Sequence, residues 1–374
     1  MKNLIPQFDF DDILIVPKVN TDITSRYKDI ILPKELPLFT APMDTVVNLD
    51  NMDNFLAGGI NVTLPRTITY KQFIDIACFD LDCDKVYKDV FVSLGFQDIV
   101  KFFENNYKFR NFHGGAHILI DVANGHMQKV MDYATEIKRL RPDIKIMVGN
   151  IANPEAYWWY AENDCVDYIR VGIGNGNGCL TTKQSGVGYP MASLIRETYL
   201  VKQNFIEHNN IDIKHQNSII HTKPVKVIPQ IVADGGMKDY SDVIKALALG
   251  ADYVMVGSIF NKALESCAKN YFCGIPVNKK IANYLFDRGF TIKKQFRGMS
   301  TKNAQKAMGK TVFKTSEGVT RVRKVEYHLS GWIENFEHYL RNAMSYSGAK
   351  TLQEFIGNSE ICQITKNAYD RFNK

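Results

Sequence analysis

A cysteine that closes a glycine-rich turn is a candidate nucleophile. In Val171-Gly172-Ile173-Gly174-Asn175-Gly176-Asn177-Gly178-Cys179, four glycines in seven residues allow a sharp bend and a close approach of backbone to ligand. Cys179 follows a β-type run, so the loop would present its thiolate to a bound substrate. The plainer alternative is a small buried side chain beside an ordinary turn. The next residues favour the chemistry. Thr181, in Leu180-Thr181-Thr182, supplies a hydroxyl two positions on that could reach the same reacting atom, and Gly186-Val187-Gly188-Tyr189-Pro190 follows.

A second group could hold an anion. Ala233-Asp234-Gly235-Gly236 and Gly257-Ser258 offer backbone N–H groups and a hydroxyl suited to phosphate. Asp234 could accept hydrogen bonds from ribose hydroxyls. Asp-Gly-Gly by itself also makes an ordinary turn. Taken with the Cys179 loop, it describes a nucleotide-shaped site, with phosphate at one end and a thiol at the other.

These residues need elements to carry them. Short β-rich runs occur at Leu36–Thr40, Gly59–Leu64, Asp89–Leu94, His117–Asp121, Lys145–Gly149, Tyr168–Gly172, Lys226–Ala233 and Tyr253–Gly257. Helical periodicity separates them at Gly125–Arg139, Pro154–Asn163, Pro190–Gln203 and Tyr240–Leu249. Eight alternations predict an α/β fold of the (β/α)8 TIM-barrel type. A doubly wound open sheet alternates in the same way, but no GxGxxG follows the first strand. In a barrel the functional groups should follow the strands, at the C-terminal face. Met43-Asp44-Thr45, Arg66, Asp121 with Asn124-Gly125, the Cys179 loop, Asp234-Gly235-Gly236 and Gly257-Ser258 all do so. The barrel domain spans 1–374. A flap at about 267–332 would lie over the mouth, and helices at about 333–374 close the chain. Gln203–Thr222 is polar and reads as a surface excursion.

Composition sets outer limits. The 374 residues are 45% hydrophobic with a net charge of +6, spread along the chain. The densest basic run is Arg321-Val322-Arg323-Lys324, which gives nucleic-acid binding little support. The seven cysteines are odd in number, irregularly spaced and without a CxxC pair. That disfavours a disulfide framework or a zinc site and suits a reducing, cytoplasmic setting. No stretch approaches the roughly 18 apolar residues of a membrane span. The N-terminus has no apolar signal core.

At this point the chain resembles the IMP dehydrogenase/GMP reductase family, from about Phe8 to Gly357. The resemblance rests on Phe10-Asp11-Asp12-Ile13-Leu14-Ile15-Val16-Pro17, Ala41-Pro42-Met43-Asp44-Thr45-Val46, Val171–Thr182, Ala233-Asp234-Gly235-Gly236, Ala246–Gly257 and Arg297-Gly298-Met299-Ser300, in that order. Four features resemble the reductase branch. They are Asp121-Val122-Ala123-Asn124-Gly125-His126, Thr182–Pro190, the lack of room for a CBS-domain insertion between the third and fourth strands, and Lys314-Thr315-Ser316-Glu317-Gly318 in place of a flap Arg-Tyr pair. Asn177, Lys314, Val319 and Pro42 depart from the reductase pattern.

The resemblance implies NADPH-dependent reductive deamination of GMP to IMP and ammonia through a cysteine thioimidate. It implies Cys179 as nucleophile and Thr181 with Glu317 as proton relay. Asp234, Gly235, Gly236, Gly257, Ser258, Gly298, Met299, Ser300, Lys314, Ser316 and Gly318 would bind the nucleotide. Ser25, Arg26, Arg66, Asp121 and Asn124 would contact the dinucleotide. The carbonyls of Gly174, Gly176 and Cys179 would hold a monovalent cation, K+, and the assembly would be a homotetramer. The rivals are IMP dehydrogenase, which oxidises IMP to XMP with NAD, and a catalytically silent purine-nucleotide-binding homologue.

Overall fold

The computed structural model describes residues 5–77, 90–105, 116–209, 226–309 and 318–372. The first strand, β1 (Ile13–Ile15), lies outside the main sheet. That sheet has eight parallel strands: β2 (Leu38–Thr40), β3 (Val62–Leu64), β4 (Val90–Leu94), β5 (Ala116–Asp121), β6 (Ile146–Ile151), β7 (Tyr168–Val171), β8 (Gln230–Asp234) and β9 (Tyr253–Val256). Each pairs with its neighbour in sequence, and β2 pairs with β9. The remaining gap, between β2 and β3, is closed by backbone. Thr40 N–H donates to the Asn61 carbonyl at 2.9 Å and Asn61 N–H to the Leu38 carbonyl at 3.0 Å. An open doubly wound sheet would leave these two edges apart, so the barrel expectation holds.

All eight predicted strands are present, with ends shifted by up to a few residues. The third and fourth barrel strands, β4 and β5, are joined by residues 95–115 alone, which leaves no space for an inserted domain. Helices wrap the outside because their apolar residues recur on one face. Gln128–Leu140 buries Val130, Met131, Ala134 and Ile137 against the strands, a stripe of helical period. In Tyr240–Leu249, the Asp239 side chain caps the start by accepting from Asp242 N–H at 3.1 Å. Gly250 ends that helix in the left-handed region, at φ 117°.

The barrel interior follows from the period of two along a strand. Phe39, Phe91, Leu119, Met147, Val232 and Met255 form one inward cluster, with Tyr168 and Tyr253 packed on it. Aromatic edges fill it: Phe39 and Phe91 have ring centroids 5.6 Å apart, and Phe91 and Tyr168 5.3 Å. Two residues further along three of these strands stand Asp121, Arg170 and Asp234. The same alternation that plugs the barrel with hydrocarbon therefore sets charge at its mouth.

The flap is a four-stranded antiparallel sheet. Its strands are β10 (Asn270–Phe272), β11 (Ile275–Val277), β12 (Lys293–Arg297) and β13 (Thr320–Lys324), in the order β11-β10-β12-β13. It has its own small core of Leu264, Ala282, Ile292 and Val325. Two charged residues of β12 fasten it. Lys294 is buried, and its ammonium donates to the Leu264 carbonyl (2.7 Å), the Ser266 carbonyl (2.6 Å) and Ser266 Oγ (2.9 Å). Arg297 forms a two-pronged ion pair with Asp44, the residue that follows the first barrel strand; Nε lies 3.1 Å from Oδ1. The C-terminal part is less purely helical than expected. Helix Leu329–Ser347 begins before residue 333, with Trp332 stacked on Tyr240 at 5.2 Å. After Leu352–Phe355 the chain makes a strand, β14 (Ile361–Gln363), which pairs antiparallel with β1. No helix among the described residues is long and apolar enough to cross a membrane.

Burial pushes the Lys294 ammonium down from 10.5 to about 7. Between those values the unfolded chain binds a proton that the folded chain has released, so stability should rise with pH from about 7 to about 10. The slope approaches ~1.4 kcal/mol per pH unit for one proton. In chemical denaturation across that range, Lys294→Met should remove the slope; an identical slope in both proteins would refute the assignment. Arg297→Met should leave the half-buried Asp44 carboxylate unpaired and cost roughly 2–4 kcal/mol. A loss under about 0.5 kcal/mol, the level of an ordinary surface change, would show that the pair does not anchor the flap.

Candidate active site

One cavity of about 270 Å³ opens at the C-terminal ends of the barrel strands. It gathers most of the predicted residues. Cys179, Thr181, Asp234, Gly235, Gly236, Gly257, Ser258, Gly298, Met299 and Ser300 line it, as do Gly174, Gly176, Arg66 and Asp121. Gly318 touches the site through backbone, described below. Asn124 is exposed on the turn after β5, where its side chain accepts from His126 N–H at 3.0 Å, and it is not part of the lining. Ser25 and Arg26 lie elsewhere. Ser25 N–H donates to Asp29 Oδ2 at 2.9 Å, and Arg26 donates to Asn342 Oδ1 at 2.9 Å. Lys314, Ser316 and Glu317 fall outside the described residues.

The Cys179 loop leaves β7 and turns through Gly172 and Gly174, both at positive φ. Cys179 N–H donates to the Gly176 carbonyl at 2.9 Å, which tightens the turn. The Cys179 thiol donates to Thr181 Oγ1 at 3.2 Å. Thr181 opens a short helix, Thr181–Ser185, rather than lying in a simple turn. The flap holds this loop from above. Val319 N–H donates to the Gly178 carbonyl at 3.1 Å, Gly298 N–H donates to the Val319 carbonyl at 3.1 Å, and Cys179 bridges Gly318 in antiparallel register. Glycine is required where these three segments meet. A Cβ on Gly298 would stand 2.7 Å from the Gly178 carbonyl oxygen, which is backbone and cannot step aside.

The same cavity is lined by the glycine turns proposed from sequence to bind an anion. The N–H groups of Gly235, Gly236 and Gly257 make no backbone hydrogen bond among the described residues. Gly235 has φ 86°, and its Cα faces the Gly176 backbone so closely that a Cβ would sit 3.1 Å from it. Ser258 Oγ accepts from Asn177 Nδ2 at 2.9 Å, leaving its own proton for an anionic oxygen. Asn177, which departs from the expected pattern, thus orients the Ser258 hydroxyl.

Part of the cavity wall is charged. Asp121 accepts from Arg170 through Oδ1 and pairs with Arg66 Nε through Oδ2 at 2.9 Å. Arg170 Nε lies 3.6 Å from Asp234 Oδ2, and Asn150 Nδ2 donates to that same oxygen at 2.8 Å. Burial pushes the Asp121 carboxyl up, but the Arg170 and Arg66 guanidinium groups outweigh it and hold it below the usual range. Asp234 goes the other way: burial raises it, and Arg170 and Asn150 offset only part of that.

Arg170 and Asn150 were not singled out from sequence. The signal for Arg170 was present, as a charged residue inside the apolar strand Tyr168-Ile169-Arg170-Val171 and two positions from an inward tyrosine. Asn150 gave no such signal. The register of β6 against β7 shifts between Gly149 and Ile151, and that irregularity is what delivers the amide to the mouth. Among the described residues, no cluster of three or more His, Cys, Asp or Glu side chains could hold a metal ion.

Comparison with known proteins agrees with this geometry. Residues 7–371 match the IMP dehydrogenase / GMP reductase domain. The chain is 25% identical to the GMP reductase of Onchocerca volvulus, over 98% of this chain and 93% of that protein. It is 28% identical to a Streptococcus pyogenes GMP reductase, over 94% of each. An inosine-5'-monophosphate dehydrogenase from Chlorobaculum parvum is 28% identical over only 66% of this chain and 45% of its own length. With a family match across nearly the whole chain and a closed barrel to carry it, the protein belongs to the IMP dehydrogenase / GMP reductase family.

Proposed function

We propose that this enzyme is a GMP reductase that converts GMP to IMP and ammonia with a reduced nicotinamide dinucleotide, NADPH. The single observation that supports it best is the Cys179–Thr181 pair, 3.2 Å apart and in one cavity with the glycine cradle and Asp234. The whole-length likeness to proteins named GMP reductase supports the reductase branch. GMP would place its phosphate against Gly235, Gly236, Gly257 and Ser258. Its ribose hydroxyls would donate to Asp234, and its base would lie under Gly298, Met299 and Ser300, with Lys314, Ser316 and Gly318 closing over it.

The Cys179 thiolate then attacks C2 of the purine. The C2–S bond forms, the 2-amino group takes a proton and leaves as ammonia, and a thioimidate remains on the enzyme. Thr181 cannot act as a strong acid alone; Glu317 would complete the relay. A bound dinucleotide would supply the hydride that replaces sulfur at C2, with the C2–S bond breaking and Cys179 released as thiolate. Arg66 and Asp121, which line the cavity, and Asn124 on its rim would hold that cofactor. The fit is chemically sound, because the buried Arg170 Nε–H in this wall has no acceptor of its own. Ser25 and Arg26 do not reach the cavity of their own chain. A cofactor role for them needs another copy, as in the homotetramer we propose. The carbonyls of Gly174, Gly176 and Cys179 are hard oxygen donors suited to a monovalent cation such as K+. We place the enzyme in the cytoplasm.

Cys179→Ala should abolish turnover by several orders of magnitude while GMP still binds, because no other group can form the adduct. Substantial residual turnover would reject the assignment. Glu317→Gln should deeply reduce GMP-dependent NADPH oxidation with little change in GMP affinity. In the same assay series, oxidation of IMP with NAD should be poor, because the flap has no Arg-Tyr pair to activate water. Efficient XMP formation would overturn the reductase reading in favour of the dehydrogenase.

A further inference from the structure

We propose that Arg170 is a positioning residue that couples the two ends of the cavity, so that filling the Asp234 end strengthens binding at the Asp121 end. The inference rests on the reading above, in which the nucleotide ribose is held by Asp234 and the dinucleotide by Asp121 and Arg66.

Arg170 stands on β7, between the strands that carry Asn150 and Asp234, and its side chain is only 4% exposed. It faces two carboxylates unequally. One terminal nitrogen is committed to Asp121. Nε is 3.6 Å from Asp234, too far for a hydrogen bond, and has no hydrogen-bond partner. A buried donor without an acceptor is unfavourable, so the guanidinium gains by turning toward Asp234 whenever that carboxylate holds its charge more firmly. Ribose hydroxyls donating to Asp234 would have that effect, because they stabilise the ionised carboxylate against its burial. A planar fork cannot tighten on Asp234 and keep its grip on Asp121 unchanged. The Asp121 oxygen it slackens on becomes available to a second ligand. Asn150 already fixes Asp234 Oδ2 from the other side at 2.8 Å, so the guanidinium is the group placed to move.

Such coupling must be reciprocal: each ligand raises the affinity of the other by the same factor. The test is titration calorimetry with IMP and NADPH, a pair that cannot react because IMP has no 2-amino group to expel and the reduced dinucleotide cannot take a hydride. In the wild-type enzyme, saturating NADPH should tighten IMP by about tenfold, within the usual range for coupled sites, and IMP should tighten NADPH equally. Arg170→Lys keeps the charge and loses the fork, and the factor should collapse to within about twofold of one. Direct contact between the two ligands would survive this substitution, so an unchanged factor in the variant overturns the inference. So does a wild-type factor of one. If Arg170→Lys does not fold, Arg170→Gln replaces it, with the same collapse expected and the same contrary result. Failure of the wild-type enzyme to bind IMP at all overturns the proposed function together with this inference. Binding of both ligands with undiminished coupling in the variant overturns this inference alone.

Discussion

A carboxylate inside a closed barrel can satisfy its charge only through neighbouring side chains. That constraint organises the mouth of this molecule. Asp121 and Asp234 point inward because Leu119 and Val232, two residues earlier, plug the barrel. Water cannot fully solvate either carboxylate, so both need partners. Arg66 and Arg170 answer for Asp121, while Asn150 and a looser Arg170 answer for Asp234. The outcome is two carboxylates displaced in opposite directions within one wall. Such a division suits an oxidoreductase that must bind two different ligands side by side.

The thiol is governed by a different kind of contact. On the flap side its loop is gripped by backbone, through Gly178, Gly298, Gly318 and Val319. Backbone contacts at this spacing admit glycine and little else. The placement of Cys179 therefore depends on the flap as much as on the barrel, and the flap depends in turn on Arg297 holding Asp44 and Lys294 reaching under the sheet.

Much of this was legible in the sequence because it follows from local rules. Strand positions came from β-rich runs, and the thiol loop and cradle came from glycine density beside Cys179 and Asp234. The barrel was read from the count of alternations together with the absence of a GxGxxG after the first strand. What stayed hidden depends on register or on distant partners. Asn150 enters through a shift between β6 and β7 that no pattern of residue types announces. The Arg297–Asp44 pair joins residues far apart in the chain. The strand at Ile361–Gln363 forms because β1 is there to receive it, not from its own preference. Of the pair assigned by resemblance, Arg26 bonds to helix Leu329–Ser347 and Ser25 to Asp29, and neither lines the cavity, a placement that a motif cannot convey.

The flap excursion begins and ends in facing positions, since Arg297 pairs with Thr320 across β12 and β13. The two ends of the segment between them are thus fixed by the sheet, whatever the segment contains. The entropy of closing such a loop grows only slowly with its length. Within that segment Gly298, Gly318 and Val319 must stay, because they grip the Cys179 loop. A change of length between those anchors is cheap for the barrel, so a new leaving group or a new acceptor could be accommodated by rewriting the stretch between the anchors while the strands that carry the thiol stay as they are.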